Sequence, residues 1–387
     1  MTQEDAVSQD ADPVKTARMF EFFVRRVWPL QRRLVAGRIA RRCTQCGASE
    51  KMLTIEPTGI CSECVKHNAS GGPPRRERNP AREAELARVL HEAQGSGGGS
   101  YDALVMFSGG KDSTYMVQRM KNEHPRLRLL TCTVDNGFMS PVAKSNLDEV
   151  LPRLNTDHVF VRPRREFYVK LFRYAVTHLN DEGSYGTVDF SDGEFMLDTA
   201  RNLAAEKQIP IILCGYSRYQ VENGLGLHHF ESPPEVERRA RTETAGLALE
   251  DMFDEDERRL WWCGPPAGRE APRLIFPLYA WDLEEAEIKR QVVEWGLIRD
   301  RNQSPIVTNH RMIPLLGVVD VHRFGYSSFE KEFCRMIREG RADRESWQHT
   351  FEFLEYTSRT GLFVKPLVLD LLQEIGLTTE DVGIRFD

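Results

Sequence analysis

The sequence has no long hydrophobic run. No stretch of its 387 residues approaches the roughly 18 consecutive apolar residues that a membrane-spanning helix needs, so we predict no membrane span. We also expect no secretory signal, because the polar start MTQEDAVSQDADP has neither a basic nor an apolar region. The net charge of −6 argues against a protein that coats nucleic acid nonspecifically, although it does not exclude a local basic face. We therefore expect a cytoplasmic protein.

The motifs of two familiar nucleotide-binding loops are absent as well. A P-loop needs a glycine five residues before its Gly-Lys pair and a Ser or Thr directly after the lysine, but Val105 and Asp112 occupy those positions. No G-x-G-x-x-G motif of the dinucleotide-binding kind follows a predicted strand. A phosphate site in this chain must therefore use another loop.

The loop that the sequence does contain is SGGKDS at residues 108–113. An apolar run at residues 103–107 is short enough to be a buried strand, and Tyr115, Met116 and Met120 then recur at helical spacing. A glycine-rich turn between a strand and a helix can point backbone N–H groups at an anion, and the helix N-terminus adds partial positive charge. We predict that this loop binds phosphate, with an ordinary glycine-rich turn as the alternative. The predicted phosphate contacts are Ser108, Gly109, Gly110, Lys111 and Ser113, and Asp112 is the predicted residue that positions Mg²⁺ or the loop.

Four of the eight cysteines form two C-x-x-C pairs that fourteen residues separate. Each pair makes a tight turn that presents two thiolates, and two such turns close a tetrahedral site around Zn²⁺. Four protein thiolates leave no open coordination position, so the predicted zinc is structural rather than catalytic. A redox pair and an iron–sulfur site are the alternatives. The predicted ligands are Cys43, Cys46, Cys61 and Cys64.

Further apolar segments predict strands that alternate with helical patterns, as parallel βαβ units require. These segments lie at residues 128–134, 158–161, 209–214 and 274–276. Ligands of such sheets bind beyond the carboxyl ends of the strands, which selects the residues that follow three of the strands. These are residues 108–113, 135–137 and 215–219. We expect Asp135, Gly137 and Gly215 at the nucleotide, while an Asn-Gly turn is the alternative for residues 136–137.

The chain divides into five predicted regions. Residues 1–42 hold a disordered start and a basic amphipathic helix, with nine Lys or Arg against one acid at residues 15–42. Such a stretch can bind a membrane surface or RNA, but a helix docked on the main body is the favoured interpretation. The other regions are a four-cysteine zinc module at 43–66, a linker and helix at 67–99, an ATP-binding domain at 100–310 and a helical region at 311–387. Residues 228–273 interrupt the ATP-binding domain as a substrate lid or a solvated insertion.

The hexapeptide at residues 108–113 resembles the SGGxDS signature of the PP-loop ATP pyrophosphatases, an adenine nucleotide alpha hydrolase-like superfamily. The resemblance implies a doubly wound parallel α/β sheet with strand order 3-2-1-4-5. It also implies that the loop binds the β- and γ-phosphates of ATP, which leave as pyrophosphate, while a substrate oxygen attacks the α-phosphorus. The expected products are an adenylated substrate and pyrophosphate, and the expected cofactors are ATP and Mg²⁺.

Within this superfamily the chain is similar to the N-acetyl sugar amidotransferases. The similarity rests on the C-x-x-C pairs with Gly59 before the second pair, on Tyr101-Asp102 leading into the loop, and on residues 134–137 and 187–192. It implies that ATP activates a sugar N-acetyl oxygen and that a partner glutaminase supplies ammonia through a cyclase-like, ammonia-channel subunit. The basic N-terminal extension, residues 228–273 and the sequence Gly-Tyr-Ser at 215–217 depart from that family, so we expect a sugar or another small molecule as acceptor.

Two other functions stay open. One is ATP-dependent thiolation of tRNA or a small molecule, with a sulfur-carrier partner and Cys214 as the sulfur-bearing residue. A buried strand cysteine is the commoner role for Cys214, and no C-x-x-C follows residue 64, so thiolation and a tRNA partner are less expected. The other is a module that binds ATP without turnover. The candidate catalytic residues are Lys111, Asp112 and Cys214.

Overall fold

The computed structural model describes residues 19–72, 79–298 and 310–387. The predicted disordered start, residues 73–78 of the predicted linker and residues 299–309 of the predicted ATP-binding domain lie outside the described residues. Within the described ranges, no helix combines the length and the apolar character that crossing a membrane requires.

Five parallel strands form the central sheet. They are β1 (Ala103–Met106), β2 (Leu129–Val134), β3 (Asp157–Val161), β4 (Ile211–Leu213) and β5 (Arg273–Ile275). Their spatial order is β3-β2-β1-β4-β5, which confirms the predicted order, and a separate hairpin pairs Glu243–Thr244 with Leu247–Ala248. Val105 of the central strand pairs with Thr131 on one side and Leu213 on the other. Because all five strands are parallel, their carboxyl ends meet at one edge of the sheet.

Helices connect the strands and cover both faces of the sheet, as expected where the central strands β1 and β4 are apolar throughout. The longer helices are α1 (Ser62–Ala69), α2 (Pro80–Ala93), α3 (Lys111–Glu123), α4 (Pro141–Leu154), α5 (Arg165–Thr177), α6 (Phe190–Lys207), α7 (Glu285–Glu294), α8 (Ile313–Phe324), α9 (Glu330–Arg338), α10 (Arg344–Thr360) and α11 (Lys365–Glu374). Short helical turns occupy Phe23–Val27, Trp28–Gln31, Ala36–Arg38, Tyr185–Asp189, Gln220–Gly224, Pro234–Glu237, Leu249–Asp251, Glu255–Arg258 and Pro277–Trp281. Helix α4 shows why such a segment starts where it does: the Ser140 hydroxyl accepts the Ala143 N–H at 3.1 Å, and Pro141 follows the cap.

Helix α6 lies between two apolar cores. The first core encloses the sheet with helices α2, α3, α4 and α7, and the second joins α5 to the C-terminal helices α8 and α11. Leu197 of α6 belongs to the first core and Phe195 to the second. The predicted helical C-terminal region is thereby confirmed, and it is packed against the sheet domain through this shared helix.

The insertion at residues 228–273 is packed against helix α6. The Arg201 guanidinium lies 2.6 Å from a Glu237 carboxylate oxygen and 2.7 Å from Asp198, and all three side chains are buried. Arg241 of the insertion pairs with Asp198 and, at 2.7 Å, with Glu194. This network of buried, mutually paired charges joins the insertion to the helix, and its role as a substrate lid or a solvated insertion stays a prediction.

The basic N-terminal stretch docks on the C-terminal helices. Residues 19–31 are helical, and the Trp28 indole N–H donates to Glu352 of α10 at 3.1 Å. The buried Arg42 guanidinium lies 2.7 Å from Glu330 of α9 and 3.2 Å from Glu355 of α10. The described part of this stretch therefore matches the favoured interpretation of a helix docked on the main body.

Candidate functional site

The glycine-rich loop after β1 requires a glycine at position 109 for two reasons. Gly109 has a φ of +73°, a backbone conformation that residues with a side chain rarely adopt. A β-carbon there would also lie 2.9 Å from Cγ of Leu147 in helix α4. The loop thus rests directly on α4, and this contact sets the position of the residues that follow.

Two hydroxyls hold the loop closed over the start of helix α3. The Ser108 and Ser113 Oγ atoms are 3.2 Å apart, the Ser108 N–H donates to Ser113 Oγ at 3.3 Å, and the Gly110 N–H donates to Ser108 Oγ at 3.3 Å. Gly110 is the cap residue of α3 and supplies no side-chain cap, so the first N–H groups of the helix are left for an anion. A β-carbon on Gly215 would lie 3.5 Å from the Ser113 nitrogen, so this glycine leaves the approach to the helix open.

Lys111 is held by two carboxylates at the side of the loop. Its Nζ donates to Asp112 Oδ2 at 2.8 Å and lies 3.6 Å from Glu285 Oε1 at the start of α7. Burial would lower the pKa of Lys111, but the charges of Asp112 and Glu285 outweigh it and raise the pKa above its ordinary value. Lys111 therefore stays a cation next to the loop, and Asp112 lies between this cation and the neighbouring cavity.

A cavity of about 310 Å³ opens beyond the carboxyl ends of β1, β2 and β4. One wall is the glycine-rich loop, and the opposite wall is the turn Tyr185–Asp189 with the first turns of α6. The polar residues that line it are Ser108, Asp112, Ser113, Thr133, Asn136, Tyr185, Asp189, Asp192, Glu194, Tyr216, Gln220 and His310. Among the described residues that line this cavity, none is lysine or arginine.

The wall opposite the loop is acidic. Asp192 Oδ2 accepts the Asn136 side-chain N–H at 2.8 Å and lies 3.1 Å from His310 Nε2. Removal from water raises the pKa of Asp189 to about 6, and the neighbouring Asp192 adds to this rise while His310 opposes it. Glu194 lies on the same wall, but Arg241 and Thr244 of the insertion bind its carboxylate at 2.7 and 2.8 Å.

The residues predicted at the nucleotide after β2 form a tight turn. Asp135 Oδ1 accepts the Gly137 N–H at 2.9 Å, and Arg162 donates to Asp135 Oδ2 at 2.6 Å. Burial would raise the pKa of Asp135, but these two donors lower it instead. Asn136, rather than Asp135, lines the cavity. The turn that the sequence allowed is present, and contact of Asp135 and Gly137 with a nucleotide stays a prediction.

Cys214 and Cys132 lie on the floor of the cavity, on either side of Met106. Both thiols are buried, and burial raises the pKa of each to about 12. A sulfur carrier acts as a thiolate, and a thiol with such a pKa is neutral near pH 7. Cys214 therefore has the position that the thiolation hypothesis needs but not the ionisation, and its catalytic role stays a prediction.

The four predicted metal ligands converge on one point. The Sγ atoms of Cys43 and Cys64 are 3.7 Å apart, those of Cys46 and Cys61 are 3.6 Å apart, and all four lie within 4.8 Å of one another. Four sulfurs about 2.3 Å from a tetrahedral Zn²⁺ are about 3.8 Å apart, whereas a disulfide needs about 2.05 Å. The cluster is buried, and the Arg338 guanidinium donates to Cys46 Sγ at 3.5 Å. This donor set fits a closed, four-coordinate metal site.

Sequence reasoning missed His310 and did not single out Tyr216 within the segment that it selected. His310 reaches the cavity because its backbone forms an isolated bridge with Met139, far away in the sequence. The Tyr216 hydroxyl lies so close to helix α6 that a β-carbon on Gly193 would be 2.9 Å from it. That glycine inside an otherwise ordinary helix is the one sequence signal for this contact.

Comparisons with known proteins give weak similarities. No protein-family model matches the chain. An uncharacterized protein of Methanocaldococcus jannaschii is 27% identical over 134 residues, which are 35% of this chain and 45% of that protein. The match thus spans less than half the length of this curated relative.

Two solved structures align over most of the chain, but both have TM-scores below 0.5. A U34-tRNA thiolase from Methanococcus maripaludis, which contains a 4Fe-4S cluster, has a TM-score of 0.35 and 13% identity over 88% of this chain and 91% of that one. An NMN synthetase from Francisella tularensis has a TM-score of 0.37 and 9% identity over 72% and 93%. The architecture is therefore described from the structure itself: a doubly wound parallel α/β sheet, a four-cysteine cluster and a helical C-terminal region.

Proposed function

We propose that this chain is an ATP-dependent enzyme that transfers AMP to the carbonyl oxygen of a small acceptor and then lets ammonia displace the AMP. One observation carries the proposal. The uncapped start of helix α3 opens, through the glycine-rich loop, on a polar cavity at the carboxyl ends of three adjacent strands. A phosphate chain at this loop would receive backbone N–H groups and the positive end of the helix dipole.

The loop residues have distinct roles in this proposal. Backbone N–H groups of Gly109 and Ser113 bind phosphate oxygens, together with the hydroxyls of Ser108 and Ser113, while Gly110, whose N–H donates to Ser108 Oγ, lets phosphate approach the loop closely. Lys111 balances phosphate charge from the side of the loop, and Asp112 would hold Mg²⁺. When bound, Mg²⁺ supplies charge neutralisation on the phosphates.

The chemistry is an in-line substitution followed by a second displacement. The acceptor carbonyl oxygen forms a bond to the α-phosphorus, and the bond to the β-phosphate breaks as pyrophosphate leaves with the electron pair. The adenylated carbon is then open to a nitrogen nucleophile, and AMP is the leaving group. Ammonia for this step comes from a glutaminase-type partner, and the acceptor is a sugar or another small molecule.

The four-cysteine cluster is proposed to hold structural zinc. Sulfur separations of 3.6 and 3.7 Å match the edge of a tetrahedron of four sulfurs around zinc, and four protein thiolates leave no position for a substrate. The site lies against helices α9 and α10 through Arg338 and Arg42, so its proposed role is to fasten the N-terminal segment to the C-terminal helices.

The decisive experiment follows the adenylate. ATP labelled in its α-phosphate is incubated with the protein, Mg²⁺, ammonium chloride and a panel of N-acetylated and amide-bearing acceptors. The expected products are AMP and pyrophosphate in equal amounts, with Asp112→Ala lowering their formation at least about 100-fold. Asp148→Ala, an exposed aspartate on α4, is the matched control and keeps wild-type rates. Cleavage only between the β- and γ-phosphates would overturn the proposal.

A second candidate is sulfur transfer, which one observation favours: the Cys214 thiol lines the same cavity as the loop. It predicts that Cys214→Ser abolishes a thiolated product whose formation depends on sulfide or a persulfide carrier. Amidation predicts that the same variant keeps forming AMP with ammonium chloride. Nucleotide binding without AMP formation across the acceptor panel would instead indicate an ATP-binding module without turnover.

A further inference from the structure

The N-terminal segment of residues 19–41 docks on the body of the protein through one face. On that face Val24 and Trp28 are buried, and Trp28 packs on Phe353 and Tyr356 of helix α10 with ring centroids 5.2 and 5.4 Å apart. Helical positions four residues apart share one side, so the side opposite Val24 and Trp28 is turned away from α10. The outward side chains take no part in this docking, and their chemistry is a separate feature of the molecule.

Large apolar side chains of this segment point into solvent. Phe22, Leu30 and Leu34 are 57%, 78% and 86% exposed, which are the three highest values for large hydrophobic side chains in the part of the chain that the structure describes. Met19 is exposed as well. Single exposed hydrophobic residues are ordinary on a protein surface, but four of them within residues 19–34 indicate an interaction surface.

The same surface is strongly basic. Residues 19–49 contain seven arginines and one acid, Glu21, which lies 3.7 Å from the Arg25 guanidinium. Arg32 and Arg42 are turned inward, where they pair with buried glutamates of helices α9 and α10. The five exposed arginines are Arg25, Arg26, Arg33, Arg38 and Arg41. We call these five arginines and the four exposed apolar side chains the outer face, and its charge is positive.

The mixture of charged and apolar side chains decides which partner fits the outer face. Arg26 lies between Phe22 and Leu30 in the chain, and Arg33 directly precedes Leu34. The core of a protein–protein interface is depleted in charged residues, so this alternation is unlike one. RNA bases stack on aromatic rings, which leucines do not offer. The interfacial zone of a bilayer accepts both kinds of side chain, because acyl chains take the apolar groups and lipid phosphates take the arginines.

We propose that the outer face binds the surface of a membrane that contains anionic lipid. The segment lies on the membrane without crossing it: the exposed apolar side chains enter the headgroup region, and the exposed arginines bind lipid phosphates. A neighbouring groove that Arg38 borders also contains Asp370 and Asp387, which repel an anionic surface, so the contact ends there. The inference goes beyond the proposed function and does not depend on it, because the outer face shares no residue with the cavity.

Sedimentation of the full chain with lipid vesicles tests the proposal. Binding to vesicles of phosphatidylcholine mixed with phosphatidylglycerol is expected to be at least about tenfold tighter than binding to phosphatidylcholine alone, and to weaken as salt is added. The double variant Leu30→Ser with Leu34→Ser should bind the anionic vesicles at least about tenfold more weakly. Val236→Ser with Leu260→Ser is the matched control, because these exposed side chains lie in the insertion, and it should bind as wild type does.

A second double variant, Arg26→Gln with Arg33→Gln, should also bind the anionic vesicles about tenfold more weakly. Both double variants should keep the melting temperature of wild type, because the four side chains are exposed. A wild type that does not sediment with the anionic vesicles, or binds both kinds equally, would overturn the proposal. Weaker binding in the arginine variant alone would overturn it in favour of a general polyanion such as RNA. Self-association without vesicle binding, removed by the leucine variant, would overturn it in favour of a second copy of this chain.

Discussion

A β-carbon built on Gly109 would lie 2.9 Å from Cγ of Leu147, so the glycine-rich loop is seated on helix α4 without any space between them. Gly109→Ala is therefore expected to lower the free energy of unfolding by about 2 kcal/mol or more, from the left-handed backbone and the overpacked contact together. Urea unfolding followed by circular dichroism measures this. Gly37→Ala is the control, because a β-carbon at Gly37 meets nothing within 4 Å. An equal effect of the two substitutions would contradict the seated loop.

Gly215→Ala separates nucleotide binding from folding. The added methyl group would lie 3.5 Å from the Ser113 nitrogen, which is an ordinary contact, so the unfolding free energy should change by less than about 1 kcal/mol. The same methyl group occupies the approach to the start of helix α3, and the Kd for Mg-ATP should rise about tenfold. Isothermal titration calorimetry checks the affinity. An unaltered Kd would mean that phosphate does not approach α3 past residue 215.

The cysteine cluster should bind one metal ion per chain. Cys46→Ser removes one of four thiolates, so bound zinc should fall towards zero and the melting temperature should fall with it. Metal analysis by mass spectrometry, together with a melting curve, makes the measurement. Cys263→Ser is the control, because Cys263 is exposed and lies outside the cluster. Finding iron and acid-labile sulfide in anaerobically purified protein would replace zinc with an iron–sulfur site.

Arg42 fastens the N-terminal segment to helices α9 and α10. Arg42→Met leaves the buried carboxylates of Glu330 and Glu355 without their cation, and removing one partner of such a group costs about 3–5 kcal/mol. Chemical unfolding should show this loss, while the exposed Arg38→Met should change stability by less than about 0.5 kcal/mol. Limited proteolysis should also cut the N-terminal segment faster in Arg42→Met. Equal stability of both variants would show that the docking does not depend on this pair.

Asp189 should make stability depend on pH in a defined direction. Its folded-state pKa of about 6 lies above the unfolded value of 3.8, so the folded protein holds this proton more tightly than the unfolded chain does. The stability linked to Asp189 is therefore greatest below about pH 4 and falls, by at most about 3 kcal/mol, as the pH rises to about 6.

The comparison of wild type with Asp189→Asn isolates this effect, because the amide does not titrate. The groups that interact with Asp189 are His310, Asp192, Tyr185, Tyr216 and Glu332, and they are present in both proteins. Urea unfolding at pH 4.5 and pH 7 should show that the variant loses less stability than wild type across this interval. Parallel losses in the two proteins would contradict a raised pKa at Asp189.

Most of the fold could be anticipated from local patterns. Strands buried on both faces are largely apolar, so β1, β2 and β4 stand out as short, mostly hydrophobic runs between helical segments. The two C-x-x-C pairs and the loop at residues 108–113 were visible for a similar reason. Their chemistry depends on neighbours a few residues away, and the spacing alone places them.

The acidic wall and the docking of the charged segments depended on contacts between residues far apart in the chain. His310 meets Asp192 across 118 sequence positions, and Arg42 meets Glu330 across 288, at 3.1 and 2.7 Å respectively. No periodicity or spacing encodes such pairs, because they arise when separate helices pack on a common core. The sequence alone thus determined the sheet, the glycine-rich loop and the two C-x-x-C pairs. Tertiary packing determined which charged side chains face the cavity and which are neutralised inside the protein.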